Sequence, residues 1–270
     1  MHSELIRLGP IIIHSYGACL AVSILLCYFV LVKLGRPLGY SSDFVSSLLT
    51  VLIVSGLIGA RIFYVVEHWS HYSQHPAEII KVWEGGLMFY GGLILSAVAL
   101  IIFIRFQKKP IAEVLDIIVT AVPLGHAVGR IGCFLNGCCY GRTSQSCLAV
   151  QYPRGSIPWA EHIQHKIIAS DAVCSAPVLP TQLIEAALNF AIFIILLLLF
   201  RRKRRAGEQV AAYMMLYAVV RFIVEYSRAD ERLYIGPFSI SQTISIALFT
   251  IGLLLTVWLR RKPGNWREAN

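Results

Sequence analysis

Residues 125–142 read GHAVGRIGCFLNGCCYGR and close a long apolar run. Five glycines stand in this segment together with His126, Arg130 and Asn136. A charged side chain at membrane depth is costly and is kept mainly where it has a function. The glycines indicate that backbone or a ligand comes close at this point. The segment therefore predicts a polar functional site within an otherwise apolar protein.

The composition of the chain is that of an integral membrane protein. Its 270 residues are 57% hydrophobic and 14% charged, with a mean hydropathy of +0.67, whereas about a quarter of the residues of a soluble domain are charged. The apolar runs are long enough for helices of about 20 residues, and barrel strands would be short and alternating. We predict an all-α, polytopic fold with a single membrane domain over residues 1–270.

Seven apolar segments are long enough to cross the membrane. Basic residues cluster in the loops on one side, above all in the run RRKRR at 201–205, and the positive-inside rule makes that side cytoplasmic. The N-terminus is then outside and the C-terminus inside. The longest outer loop, 143–180, is predicted to form a small periplasmic cap. The predicted spans are residues 11–33, 44–66, 85–104, 112–134, 182–200, 209–226 and 238–259.

The net charge of +9 follows from this topology. The basic clusters are short and flank spans, where they meet anionic lipid headgroups, so nucleic-acid binding is excluded. The first apolar run is as long as a true span and has no basic segment before it, so no cleavable signal peptide is predicted. No internal repeat is evident, which weighs against many transporter folds.

Three predicted spans carry an arginine toward their outer half, namely Arg61, Arg130 and Arg221. Guanidinium groups that converge at membrane depth suit an anionic headgroup, because their planar fork binds phosphate in a bidentate manner. The alternative is that each arginine pairs with a carboxylate and only holds helices together. Glu225 favours that alternative for Arg221, since it stands four residues later on the same helix face.

Two further groups leave alternatives open. Tyr217, Arg221, Glu225 and Arg228 form one polar stripe, which either lines a cavity or joins helices of a bundle. His126 stands one helical turn before Arg130 on the same face. It is either a core histidine hydrogen-bonded to a backbone carbonyl or a base that exchanges a proton near neutral pH.

The cysteines of the opening segment, Cys133, Cys138 and Cys139, do not form a C-x-x-C pair. Since no second Cys/His cluster of the usual zinc form stands nearby, we predict no metal site and assign these thiols to packing. Cys147 and Cys174 both fall in the long outer loop. In an oxidising compartment they are predicted to form a disulfide.

The stretch GGLMFYGG at 85–92 opens the third predicted span. Its paired glycines permit either close helix packing or an entry path for a lipid. Tyr90 stands between the pairs, where its hydroxyl can reach a headgroup or its ring can lie at the membrane interface.

These residues together resemble the prolipoprotein diacylglyceryl transferase family over nearly the whole chain. The resemblance implies transfer of a diacylglyceryl group from phosphatidylglycerol to the thiol of the lipobox cysteine in a preprolipoprotein signal peptide, with release of glycerol-1-phosphate. It implies a multi-pass protein of the bacterial inner membrane, a site toward the periplasm, and no metal or organic cofactor. The matching motifs are residues 14–17 (HSYG), 59–62 (GARI) with Tyr64, 81–86 (KVWEGG), 90–92 (YGG), 129–132 (GRIG) with Phe134, 136–137 (NG), 141–142 (GR), 180–183 (PTQL) with Glu185, and Tyr217, Arg221, 223–225 (IVE) and Arg228.

The hypothesis of such a transferase also assigns roles to individual residues. Arg130 and Arg221 would bind and neutralise the lipid phosphate, and Glu225 would orient Arg221. His126 or Tyr90 would assist deprotonation of the acceptor thiol. Tyr16, Asn136 and Tyr217 would position the glycerol or phosphate, and Gln182 and Glu185 would support the site. The full substrate-binding set comprises His14, Tyr16, Arg61, Arg130, Asn136, Gly141, Gln182, Glu185, Tyr217 and Glu225.

The chain departs from the family pattern at three positions. A histidine is usual where Tyr90 stands, an asparagine where Cys133 stands, and an acidic residue where Cys138 stands. We hypothesise that His126 takes over part of the missing histidine's role. The alternatives are a diverged homologue with another acceptor, a membrane transporter of anions or lipids, and a thiol oxidoreductase built on the cysteines.

Overall fold

The computed structural model describes residues 4–8, 11–202, 205–229 and 234–261, and helices dominate these ranges. Seven of the α-helices within them have 18 or more residues. The α-helices are α1 (Ser15–Gly35), α2 (Ser42–Glu67), α3 (Trp69–Tyr72), α4 (Phe89–Phe106), α5 (Ile111–Asn136), α6 (Ile157–Gln164), α7 (Thr181–Phe200), α8 (Glu208–Glu225) and α9 (Ile240–Arg260).

Two short antiparallel hairpins accompany the helices. Strand β1 (Glu4–Leu8) pairs with β2 (Ile11–His14), and β3 (Tyr234–Ile235) pairs with β4 (Phe238–Ser239). The first predicted span therefore starts too early, because residues 11–13 are β-branched isoleucines that join a strand ladder. The prediction for the third span is wrong in the same way. Gly85 and Gly86 have φ angles of +93° and +70°, outside the helical region, and α4 begins only at Phe89.

Six long helices are apolar enough to cross a membrane, and the predicted membrane fold is confirmed. These helices leave large apolar side chains uncovered by protein: Phe106 is 83% exposed and Leu254 63%. A helix that is apolar on all sides needs a lipid environment. Within the described residues, α8 is not among the six. It carries Arg221 and Glu225 in its last turns, and the count of seven spans stays a prediction.

The chain divides into two compact units. One comprises the chain up to Val30 and from Leu115 onward, and the other comprises residues 31–114. In the second unit, α2 and α4 pack through glycines: a Cβ on Gly59 would lie 2.4 Å from the Gly91 carbonyl oxygen. The close helix packing expected at the glycine pairs is thus present.

In the first unit, a buried acid fixes the start of α8. Asp116 on α5 is fully buried, and its carboxylate accepts hydrogen bonds from the backbone N–H groups of Gly207, at 2.6 Å, and Val210, at 3.0 Å. These are donors that a helix leaves unsatisfied at its N-terminus, and a negative charge there is favourable. The contact joins α5 to α8 and so positions the arginine that α8 carries.

Residues 143–180, which are predicted to form a cap, contribute to a small buried cluster. Tyr152 and Val178 are fully buried, with Tyr140 beside them. Ser156 caps the start of helix α6, and its hydroxyl accepts a hydrogen bond from the Trp159 backbone N–H at 3.4 Å. The loop predicted to form a cap has a core of its own.

The predicted disulfide between Cys147 and Cys174 is wrong, since both thiols are free. Cys174 forms an isolated β-bridge with Pro153. Cys147 is exposed in a turn closed by the hydrogen bond from the Ala149 N–H to the Ser146 carbonyl. The two cysteines therefore belong to different parts of the cap.

Candidate active site

The site is built on α5, the most buried of the six membrane-span helices. His126 and Arg130 lie one turn apart on it, past the internal Pro123. The Arg130 Nε–H donates to His126 Nε2 at 3.3 Å and lies 2.5 Å from Glu185 Oε2. A nitrogen that accepts from a guanidinium carries no proton, so the lone pair of His126 Nε2 is directed at Arg130 in this arrangement.

Glu185 on α7 joins two arginines. Its side chain is almost fully buried, and its second oxygen lies 3.6 Å from Arg228 Nη1. A buried carboxylate is tolerated only when cations or donors compensate its lost hydration. Two guanidinium groups do so here, and the carboxylate in turn fixes both of them at the end of the helix bundle.

A second buried ion pair anchors Arg221 on α8. Its Nη1 lies 2.9 Å from Glu225 Oε2, and its Nη2 donates to the Ser241 hydroxyl at 2.9 Å. Glu225 also accepts a 2.7 Å hydrogen bond from Ser239, the residue that begins α9 in a capping box with Gln242. The predicted orientation of Arg221 by Glu225 is present, and the start of α9 completes it.

His126 brings the two ion-pair groups together. It lies within electrostatic range of both Arg130 and Arg221, and its ring is 5.9 Å from that of Tyr217. Among the described residues, three arginines of this group, Arg228 included, contact the carboxylates of Glu185 and Glu225. Guanidinium groups gathered in this way suit an anionic ligand such as phosphate.

One face of α7 adds buried oxygen acceptors. Gln182, Glu185 and Asn189 follow one another at helical spacing, and each is 3% exposed or less. Among the described residues, the Oε1 atom of Gln182 has no hydrogen-bond partner, whereas the Asn189 side chain lies within hydrogen-bonding range of His126. Buried acceptors are rarely left unsatisfied, so the Gln182 oxygen is available to a hydroxyl group of a ligand or to water.

The chain turns sharply after α5. Asn136 ends the helix, and Gly137 follows with φ +81°. Cys139 then adopts φ +59°, which is uncommon outside glycine, asparagine and aspartate. Two side chains at the start of α7 hold this turn: Gln182 donates to the Cys138 carbonyl at 2.8 Å, and Thr181 donates to the Cys139 carbonyl at 3.0 Å.

The turn brings together three thiols that are separate in sequence. The sulfur atoms of Cys133, Cys138 and Cys139 all lie within 4.8 Å of one another. Hydrogen bonding with the other two thiols, followed by the positive charges of Arg228 and Arg130, lowers the pKa of the Cys139 thiol. The spacing in sequence, without a C-x-x-C pair, did not reveal this convergence.

The remaining predicted residues of the first unit surround this turn. Tyr16, in the first turn of α1, packs near Gly132 of α5 and interacts electrostatically with Arg130 and the three thiols. A Cβ at Gly141 would lie 2.6 to 2.8 Å from Thr181, Leu179 and Ser227, so only glycine fits there. Asn136 lines a cleft of about 210 Å³ against residues 152–157 of the cap. His14 ends β2 and is exposed.

Arg61 and Tyr90 belong to the other unit. The Arg61 guanidinium donates to the carbonyls of Glu78, Ile79, Gly85 and Gly86 at 2.5 to 3.1 Å, and Tyr72 stacks at 5.2 Å from it. These contacts use most of its N–H groups on the loop between α2 and α4. They favour a loop-anchoring role over the predicted headgroup contact. Tyr90, in the first turn of α4, is 63% exposed.

Sequence reasoning left several contributors out of the site. Arg228 appeared as the end of a polar stripe and among the family motifs but was given no role in the site, and Asn189 was not singled out. Asn189 did carry a signal, because it is a polar residue in the apolar run of α7, four positions after Glu185. Ser239 and Ser241 carried none, since serines are common at helix starts.

Comparison with known proteins places this site in a family. Residues 3–258 match a family described as prolipoprotein diacylglyceryl transferase. The chain is 34% identical to a phosphatidylglycerol–prolipoprotein diacylglyceryl transferase of Streptococcus agalactiae over 95% of each chain. It is 34% identical to the enzyme of that name from Lactobacillus gasseri, over 94% of this chain and 89% of the relative. A relative from Clostridium perfringens, named phosphatidylglycerol–prolipoprotein diacylglyceryl transferase 2, is 30% identical over 90% of each chain. With its membrane helices, its buried arginines and this match over nearly its full length, the chain belongs to the prolipoprotein diacylglyceryl transferase family.

Proposed function

We propose that this protein transfers a diacylglyceryl group from phosphatidylglycerol to the thiol of the lipobox cysteine in preprolipoproteins. The observation that carries the proposal is the buried group in which Glu185 joins Arg130 to Arg228 and His126 lies in range of Arg221. Guanidinium groups gathered at this depth match a lipid phosphate. The family to which the chain belongs is the second support.

The reaction exchanges a carbon–oxygen bond for a carbon–sulfur bond. The acceptor sulfur attacks the terminal glyceryl carbon of the diacylglyceryl group, the bond from that carbon to the phosphate oxygen breaks, and glycerol-1-phosphate leaves with the electron pair. Since the leaving group is an anion, guanidinium groups that meet its developing charge lower the barrier. We assign this role to Arg130 and Arg221. Glu185, Glu225 and Ser241 hold them in place.

The acceptor thiol must lose its proton, because the thiolate is the nucleophile. His126 is our candidate for the group that receives the proton, since its Nε2 atom carries no proton in the hydrogen bond with Arg130 and would become available once Arg130 turns to the lipid phosphate. Tyr90 is the second candidate, and a tyrosine hydroxyl at this position would contact a headgroup or the thiol. Tyr16, Asn136, Tyr217 and Gln182 supply hydrogen bonds that position the glycerol and phosphate.

An apolar groove supports a lipid donor. It has a volume of about 230 Å³ and lies between α8 and α9, and Phe222, which lines it, directly follows Arg221 in the chain. An acyl chain in this groove would leave its headgroup at the end of the bundle that holds Arg221. The groove is lined by Ala218, Val219, Phe222, Ile223, Ser245, Ile246, Phe249 and Thr250.

We further propose that the chain crosses the bacterial inner membrane seven times, with α8 as the sixth span. The N-terminus is then periplasmic, the C-terminus cytoplasmic, and the cap of residues 143–180 periplasmic. A polar helix is tolerated in this position because its arginine and glutamate are paired with each other and with α9.

A complementation assay tests both the proposed transfer reaction and the assignment of His126 as the base. In a bacterium depleted of its own transferase, the wild-type chain is expected to restore lipidation of a reporter lipoprotein. His126→Ala is expected to lower it by about a hundredfold, within the range of general acid–base catalysis. Tyr90→Phe, which keeps the ring, isolates the hydroxyl.

Immunoblots of the membrane fraction control for protein level, and His165→Ala in the cap is the matched control for loss of an imidazole. Full lipidation by His126→Ala would exclude His126 as the base. Unmodified reporter in cells that contain the wild-type protein in their membranes would contradict the proposed function.

A further inference from the structure

We propose that Cys133, Cys138 and Cys139 form a three-thiolate site for a thiophilic metal ion of the zinc class, with a fourth coordination position left open. The proposal does not depend on the transfer reaction. It rests on the position of the three sulfur atoms, on the backbone that holds them, and on the charges beside them.

The sulfur positions fit such an ion. All three lie within 4.8 Å of one another, and a zinc ion bound by thiolates at about 2.3 Å places its sulfur ligands roughly 3.8 Å apart. Small side-chain rotations therefore suffice to bring the ligands to one ion. Thiolates are soft ligands, and they select zinc and copper(I) over hard cations such as magnesium.

The backbone of the site is constrained rather than free. Cys133 occupies the last turn of α5, while Cys138 and Cys139 return toward it through the turn that follows. In this turn Cys139 adopts φ +59°. A non-glycine residue keeps this conformation only where its surroundings enforce it, often at functional sites. Gln182 and Thr181 donate hydrogen bonds to the two carbonyls of the turn and so hold the backbone that carries Cys138 and Cys139.

The surroundings also suit an anionic ligand set. Arg130 and Arg228 lie within electrostatic range of Cys139, where their charges would offset part of the negative charge of a three-thiolate ligand set. Among the described residues no fourth histidine, cysteine, aspartate or glutamate joins the cluster. Three protein ligands with an open fourth position are typical of zinc sites that bind a water molecule or a substrate atom.

The test uses the full chain, reduced, in lipid nanodiscs and purified without chelators. After incubation with zinc and removal of the excess, elemental analysis is expected to find about one zinc ion per chain. Zinc is expected to protect the three cysteines from alkylation but to leave Cys147, which is exposed, fully reactive. Cobalt(II) should give the near-ultraviolet thiolate-to-metal band, and magnesium should give neither effect.

The variants Cys133→Ser, Cys138→Ser and Cys139→Ser are each expected to weaken zinc binding at least about a hundredfold. Loss of a residue that only hydrogen-bonds to a metal ligand costs up to about a hundredfold, and loss of a ligand itself should cost at least as much. Cys147→Ser is the control and should bind as the wild type does. No zinc retained by the folded wild-type chain, or equal alkylation of all three thiols with and without zinc, would overturn the proposal. So would a disulfide within the cluster that persists after reduction and addition of zinc.

Discussion

At the scale of single residues, the site depends on the buried carboxylate of Glu185 and on the two arginines that compensate its charge. Glu185 lies between Arg130 and Arg228 and is almost fully buried there. The sequence alone predicted Arg130, Arg221 and the pairing of Arg221 with Glu225, because the last two are four residues apart on one helix. It did not predict that Glu185 bridges two arginines, because 55 and 43 positions of chain separate them and only the packed helices bring them together.

Glu185→Ala tests this bridge. Removal of one partner of a buried ion pair leaves a buried charge without compensation, which costs about 3 to 5 kcal/mol. We expect a large drop in the unfolding temperature, measured in lipid nanodiscs, and loss of transfer activity. Glu185→Gln keeps a hydrogen-bond acceptor and should recover part of the stability but not the activity.

Glu208→Gln is the matched control. Its carboxylate is partly exposed and lies 3.7 Å from Arg205, so its removal should change stability by less than about 1 kcal/mol. Equal stability of Glu185→Ala and Glu208→Gln would contradict the bridging role.

The position of Arg61 could be predicted from the sequence, but its hydrogen-bond partners could not. An intramembrane arginine was expected at a headgroup, but its N–H groups are used by four loop carbonyls. The sequence gives no direct sign of this, since any backbone carbonyl can accept a hydrogen bond and its position depends on the turn at Gly85 and Gly86.

At the scale of secondary-structure elements, the glycines decide how closely helices approach. In α2 and α4, each of Gly59 and Gly91 faces the carbonyl of the other. Gly59→Ala is expected to destabilise the protein by about 1 to 3 kcal/mol, because the added methyl group meets backbone rather than a movable side chain. Thermal unfolding in nanodiscs measures the change.

Gly17→Ala provides the comparison. Gly17 lies in α1, and a Cβ there has no neighbour within 4 Å. Because alanine has the higher helix propensity, the substitution should leave stability unchanged or raise it by up to about 1 kcal/mol. The same destabilisation in both variants would show that the α2–α4 contact is not special.

We expect the buried side chain of His162 to make the stability of the cap depend on pH. His162 is 3% exposed, and its Nδ1 accepts a hydrogen bond from the Ala176 N–H at 3.1 Å. Burial lowers the pKa of His162 below its ordinary value, against the opposing effect of Glu161, and His165 acts in the same direction as burial. The unfolded cap then binds more protons than the folded cap below about pH 6.5, so stability falls as the pH drops through that value.

We expect limited proteolysis of the cap to speed up between about pH 7 and pH 5 in the wild type. His162→Gln keeps an acceptor without a titratable ring, so its proteolysis rate should vary less with pH over this range. A wild-type rate that is flat, or that falls on acidification, would contradict the assignment.

At the scale of the whole molecule, composition and the length of the apolar runs were sufficient to predict a polytopic helical membrane protein. The positions of the long helices followed from the same runs, with errors where isoleucines joined a hairpin and where positive-φ glycines delayed α4. The convergence of three thiols was not predictable, because it arises from one turn after α5 that two side chains of α7 hold.

The central claim is that this chain moves a diacylglyceryl group from phosphatidylglycerol to a lipobox thiol, with Arg130 at the phosphate. The most direct test supplies the purified chain in nanodiscs with phosphatidylglycerol labelled in its diacylglyceryl part and a lipobox peptide, and follows label and mass on the peptide. Phosphatidylethanolamine nanodiscs and a peptide with serine in place of the cysteine are the controls. We predict a thioether-linked diacylglyceryl peptide with the wild type and at least about a hundredfold less with Arg130→Gln, the loss that removal of one transition-state donor causes. Folded wild-type protein that transfers no label, or an Arg130→Gln variant as active as the wild type, would contradict this account.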